Sequence, residues 1–136
     1  MYGAINQCLG GSASCVNVTD GLNRQLQQGC GDPNETAFQV DTTTFSIAAN
    51  NAEARLYVTW KGSDQNYHAR RIACYHLYDP RQYAEFRQCV HNIVDWGTST
   101  RLVQIQTALD LLREQEEPSS SRAKRRKTPA FAGRHG

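Results

Sequence analysis

The stretch NQCLGGSASCVN, residues 6–17, concentrates groups from which a site could be built: two cysteines seven residues apart, two glycines and two serines. Thiolates could hold a metal ion, and a glycine-rich run could cradle a phosphate. Each reading fails on its surroundings. Cys8 and Cys15 with His68, His76 or His91 lack any recognisable zinc-ligand spacing. A phosphate loop needs a strand before its glycines and Lys-Ser or Lys-Thr after them, and neither is present. No cysteine sits in a nucleophile motif. On a continuous helix the two cysteine Cα atoms would lie roughly 10 Å apart, beyond the reach of a disulfide. Packing is what remains. Both cysteines are expected on the buried side of a helix, with the small residues between them allowing close approach to a sheet or another helix.

Asp41 followed by Glu53-Ala54-Arg55 faintly echoes the Asp…Glu-x-Lys pattern of metal-dependent nucleases, in which carboxylates hold Mg²⁺ and a lysine supports the attacking water. Arginine stands where lysine is needed and Glu53 follows an Asn-Asn turn, so a solvated hairpin end is expected instead. The run RAKRRK (Arg122, Lys124, Arg125, Arg126, Lys127) puts five cations in six residues. Such a run can serve as a nuclear-import signal or a loose nucleic-acid contact, the alternative being a plain solubilising tail.

The chain has 136 residues, enough for one domain with a modest core. No apolar run approaches membrane-spanning length. Residues 1–16 show no charged start followed by an apolar run, so no secretory signal is legible. A reducing compartment follows, nuclear if the cation run acts as an address and cytoplasmic otherwise. The Asn-x-Thr matches at Asn17 and Asn34 are then accidental. Five cysteines without a Cys-x-x-Cys pair argue against a disulfide framework. The net charge of +2 hides a split: residues 118–136 hold six basic side chains and no acid. The other 117 residues hold nine basic against thirteen acidic ones, a balance of −4. Such a body has no global field for nucleic acid; any weak affinity would come from the tail and the aromatics Trp60, Tyr67 and Tyr75.

The elements that must position these groups can be read in order. Ile5, Cys8, Ser12, Cys15, Thr19, Leu22 and Leu26 alternate steps of three and four, which predicts one helix over residues 4–28, ended by Gly29 and Gly31. A break at Gly10-Gly11 is the alternative. Residues 30–37 read as a loop. Strands follow at 43–49, 54–60 and 67–78, joined by short turns into an antiparallel meander. Leu56, Val58 and Trp60 alternate against Arg55, Tyr57 and Thr59. Asp79 and Pro80 open a helix with Tyr83, Phe86, Val90 and Ile93 on its buried face, ended by Gly97. Thr98 or Ser99 caps a last helix with Leu102, Ile105, Leu109 and Leu112 inside, stopped at Glu116–Pro118. Residues 118–136 are expected to be a disordered basic tail. The class is α+β, with one domain over 1–117. Its first helix has an apolar face longer than three strands can cover.

The segments NQCLGGSASCVN, FSIA (45–48), EARLYVTWK (53–61), YAEFRQCVHNIVDWG (83–97) and RLVQIQTALDLL (101–112) together resemble a family of fungal proteins defined by a domain of unknown function. The resemblance runs in order through residues 4–116. It implies longer members with a Glu-x-Lys strand just before the segment matching Asn6-Gln7-Cys8. That order resembles the core of the PD-(D/E)XK nucleases, a fold-level analogy. Gln7 is the position that could match a polar helper on the following helix. The Glu-x-Lys residues have no counterpart here. The resemblance therefore implies the C-terminal portion of a nuclease-like α/β core, catalytically incomplete. No cofactor is expected, and Mg²⁺ only where a longer form supplies the strand. A free strand edge and an exposed apolar face on the first helix are expected, open to an unknown protein partner or to self-association. The rival reading is a small self-sufficient interaction module.

Overall fold

A computed structural model describes residues 1–35 and 37–124, the side chains of 118–124 excepted. Its order is α1 (Tyr2–Gly29), β1 (Thr44–Ala49), β2 (Glu53–Lys61), β3 (Tyr67–His76), α2 (Pro80–Trp96), a π-helical joint (Gly97–Arg101) and α3 (Leu102–Lys124). The α+β class and the meander are as the sequence implies. The strands pair antiparallel in the order β1-β2-β3.

α1 runs unbroken through Gly10-Gly11. Two helical glycines cost roughly 1 kcal/mol each against alanine, which the packing of the rest of the helix offsets. Its buried residues are Ser12, Val16, Thr19 and Leu26. Cys15, expected inside, is exposed, and Cys8 is half-buried. The stripe passes through Val16 rather than Cys15. The glycines do not serve close approach within this chain, since a Cβ at Gly10 or Gly11 would meet nothing within 4 Å.

Residues paired across neighbouring strands send side chains to the same face. One face carries Ser46, Ala48, Tyr57, Thr59 and Lys61, and α1 lies on it: Lys61 Nζ meets Asp20 at 2.7 Å and the Tyr67 hydroxyl donates to Asn17 Oδ1 at 3.0 Å. The other carries Phe45, Ile47, Leu56, Val58 and Tyr75. There α2 crosses the sheet, with Trp96 edge-on to Phe45 at 5.5 Å and Phe86 tilted on Tyr75 at 5.5 Å. The sheet is thus a middle layer. A β-bulge in β3 places Ile72 outside the register between Ala73, opposite Leu56, and Arg71, opposite Tyr57. The alternation expected through Ile72 is interrupted there.

Gly97 is the C-cap of α2, as expected, but it does not break the helical path. It is helical (φ −64°, ψ −41°), and the chain continues through the π-helical joint. Thr98 and Ser99 are not caps. Their hydroxyls donate back to the carbonyls of Val94 and Asp95, satisfying groups that the wide π turn loosens. Ala108 is buried and Ile105, Leu111 and Leu112 pack with it against Leu26 and Val40, while Leu102 and Leu109 are exposed. The contact is made through a small residue, which a search for large apolar side chains passes over. α3 also continues past Pro118 to Lys124. A proline removes one backbone bond and crowds the preceding turn but leaves the bonds on either side. The expected tail therefore begins as helix up to 124; from 125 on it lies outside the described residues.

Candidate functional site

Two surfaces hold unspent chemistry. The first is the α2 layer. Asp79 caps α2 by accepting from the Arg81 and Gln82 amides, and the Arg81 amide in particular holds its carboxyl below the usual range. Pro80 follows at the first helical position. The apolar face predicted for α2 exists, yet no α2 residue is fully buried. Phe86, Val90 and Ile93 are half-covered, Tyr83 is exposed, and Val94 keeps 54% of its surface in water. An apolar groove of about 300 Å³ opens between β1 and α2, lined by Phe45, Cys89, Ile93 and Trp96 among others. Tyr75 beneath α2 has its phenol pushed up, first by burial and then by Cys89.

The second is a polar cleft of about 720 Å³ where α1, the segment before β1, the β2–β3 turn and α3 meet. Asp20 accepts from Lys61 at 2.7 Å and Arg24 at 3.2 Å, with the Asp20 and Lys61 side chains only 15% and 12% exposed. Asn23 receives the Val40 amide on Oδ1 and donates Nδ2 to the Val40 carbonyl, both at 2.8 Å. It thereby replaces a neighbouring strand for that residue. Gln104 accepts from the Asp41 amide. Lining charges cancel, and the fixed polar groups mostly bond one another, so the cleft reads as a polar seam holding the loop to both helices.

The nuclease echo does not assemble. Asp41 precedes β1 and Glu53 follows the hairpin turn, so the length of β1, roughly 20 Å, separates them. Glu53 bonds Arg55 at 2.6 Å and accepts from Cys74 at 3.5 Å. Burial works to raise its carboxyl; those bonds outweigh it and leave it below the ordinary value. Among the described residues no three His, Cys, Asp or Glu side chains converge as metal ligands. Gln7 is exposed on α1. Trp60 stacks on His68 at 5.4 Å on the α2 side of the sheet, whereas Tyr67 lies on the α1 side beneath Lys61. Trp60, Tyr67 and Tyr75 therefore share no single platform. Arg122 and Lys124 fall within α3, and Arg125, Arg126 and Lys127 lie outside the described residues.

Sequence reasoning missed Arg101. From the π joint it donates to the Thr43 carbonyl and to Thr19 Oγ1 at 3.0 Å, with its guanidinium 5.5 Å from the Trp96 ring centre. One side chain thus ties α1, the entry to β1 and the helix joint. Asn23 was equally silent. Its i+17 partner is a backbone group, which leaves no residue-type signal.

The fold and its surfaces define an α+β domain with a helix on each face of a small antiparallel sheet and an incompletely covered second layer. The chain belongs to the family described as a domain of unknown function, DUF7924, whose profile matches residues 1–109. Comparison with curated proteins and with solved structures returned no significant match. No helix among the described residues is long and apolar enough to cross a membrane.

Proposed function

We propose that this domain is a protein-docking module without catalytic activity or cofactor of its own, addressed to the nucleus by the cation run at residues 122–127. The observation that carries it is α2: an amphipathic helix with Tyr83, Phe86, Val90 and Ile93 along one face that buries none of them fully. Exposed apolar surface of this kind marks a face made to be covered. An apolar reporter dye should bind the native full-length chain, and Val94→Glu with Tyr83→Lys should remove that binding while the circular dichroism stays unchanged. A wild-type chain that binds no dye overturns the reading. Cleavage of DNA with Mg²⁺, abolished by EDTA, would overturn its non-catalytic part. Nuclear accumulation of a fluorescent fusion should be lost when Lys124, Arg125, Arg126 and Lys127 become alanine.

The layering favours a second reading. A 28-residue helix lies over a sheet of only three strands, as expected of the C-terminal portion of a nuclease-like α/β core. On that reading the covering segment is a further strand of a longer form of the same polypeptide, and Mg²⁺ chemistry would belong to that strand. Dye binding by the present chain that disappears in a longer form supports it.

A further inference from the structure

The two sheet edges are built differently. The Asn50 amide bonds the Glu53 carbonyl, which fixes the parity of the β1–β2 ladder. Ala48, Ser46 and Thr44 face β2 with their backbone groups; Phe45, Ile47 and Ala49 turn theirs outward. The Ile47 carbonyl accepts only the Cys8 thiol, at 3.3 Å, a weak donor. Among the described residues nothing else bonds these outward groups. By the same reasoning the Leu77 amide bonded to Ala52 sets Cys74 and His76 outward on β3. That edge is guarded: Arg71 stands on it, the bulge at Ile72 bends it, and Gln82 accepts from the His76 amide at 2.8 Å. β1 reads TFSIAA, with no charge, proline or bulge.

We propose that β1 pairs antiparallel with β1 of a second copy of this chain, making a six-stranded sheet across a two-fold axis at Ile47. The proposal rests on the docking reading and names its partner. Charge selects the occupant. An edge without charge meets its own copy without repulsion, whereas pairing through β3 would set Arg71 against a second Arg71 or leave it buried without a partner. Size agrees with this register. Ile47 faces its own copy, bulky Phe45 lies opposite small Ala49 on the α2 side, and Ser46 lies opposite Ala48 on the α1 side. Phe45, Ile47 and Ala49 then form three hydrogen-bonded pairs, about six backbone bonds. Besides α2 residues, the groove beside Phe45 and Trp96 is lined by Phe45 and by Asp41 and Thr43 just before β1, with no β2 residue; this register sets the partner's Ala49 beside its Phe45 wall.

Sedimentation equilibrium of the full-length chain tests this. The wild type should pass from monomer to dimer between low-micromolar and sub-millimolar concentration. Ile47→Pro removes an outward N–H without touching the β1–β2 ladder and should weaken the dimer about tenfold or more. Ile47→Lys keeps the N–H, sets two ammonium groups at the axis and should do the same. Ala69→Pro, on β3, should leave the dimer intact. A wild type that stays monomeric, or a dimer that survives both Ile47 variants, overturns the self-pairing. If that monomer still binds the apolar dye through α2, the docking reading stands and only its partner is wrong; if it binds none, both fall.

Discussion

Asn23 shows how one side chain can stand in for an element. Its carboxamide satisfies both backbone groups of Val40, which is itself buried against Leu26 and Ala108. Asn23→Ala leaves both groups without that partner in a part-buried setting, and should cost about 2 kcal/mol in denaturant unfolding. Asn23→Asp keeps the acceptor but loses the donor and should fall between the two. Asp64 organises the β2–β3 turn, where Gln65 adopts a positive φ of 65°. The Asn66 side chain, then the Asn66 amide and His68, hold its carboxyl at about 2. A folded-state value below the ordinary one means that Asp64 stabilises the turn above pH 4 and loses this as pH falls towards 2. Chemical shifts of Asn66 and His68 followed from pH 5 to 2 should report it, and Asp64→Ala should abolish the transition. Thr59 and Ser12 sit between α1 and the sheet with hydroxyls that meet no partner among the described residues. At 2% exposure, Thr59→Val removes an unsatisfied polar group at constant shape, and should raise stability by about 1 kcal/mol, read as a higher midpoint.

At the scale of elements, the helices and strands were legible because their signals are local. Asp79-Pro80 announces α2, alternation announces β2, and the three–four spacing carries α1 through its glycines. What was not legible was which side of a helix finds a neighbour. Leu109 belongs to the apolar stripe of α3 and is 52% exposed, while Ala108 beside it is buried. The stripe read from α3 alone runs through Leu109, but the neighbours that α3 meets, Leu26 and Val40, reach the side carrying Ala108 and Leu111. Leu109→Ala should therefore stay within about 0.5 kcal/mol of wild type, whereas Leu26→Ala should cost about 3 kcal/mol. Arg101 holds the joint in place; Arg101→Ala should destabilise by about 2 kcal/mol and lose the close Trp96–Arg101 contact, seen as a change in tryptophan emission.

Over the whole molecule, cations and core are separated along the chain. The body at −4 repels polyanions, and six basic side chains follow it. Any nucleic-acid binding should therefore be steeply salt-dependent, and a chain ending at residue 117 should lose most of that slope in a titration at two salt concentrations. The same scale shows why α2 is half-covered: it lies on its own face of a three-stranded sheet, and the apolar area that the sheet does not reach must face water or another polypeptide.

The sequence by itself determined the order and type of the elements, the continuity of α1 and the absence of a recognisable site in NQCLGGSASCVN. Those follow from spacing, capping and turn chemistry within a few residues. Only the tertiary structure decided that Cys15 faces water, that Asp41 and Glu53 lie a strand apart, and that Arg101 and Asn23 join distant segments. Only it showed which strand edge is open. The physical reason is that burial, ion pairing and edge exposure depend on which surfaces meet, and contacts between residues 17 to 82 positions apart leave no mark in local spacing.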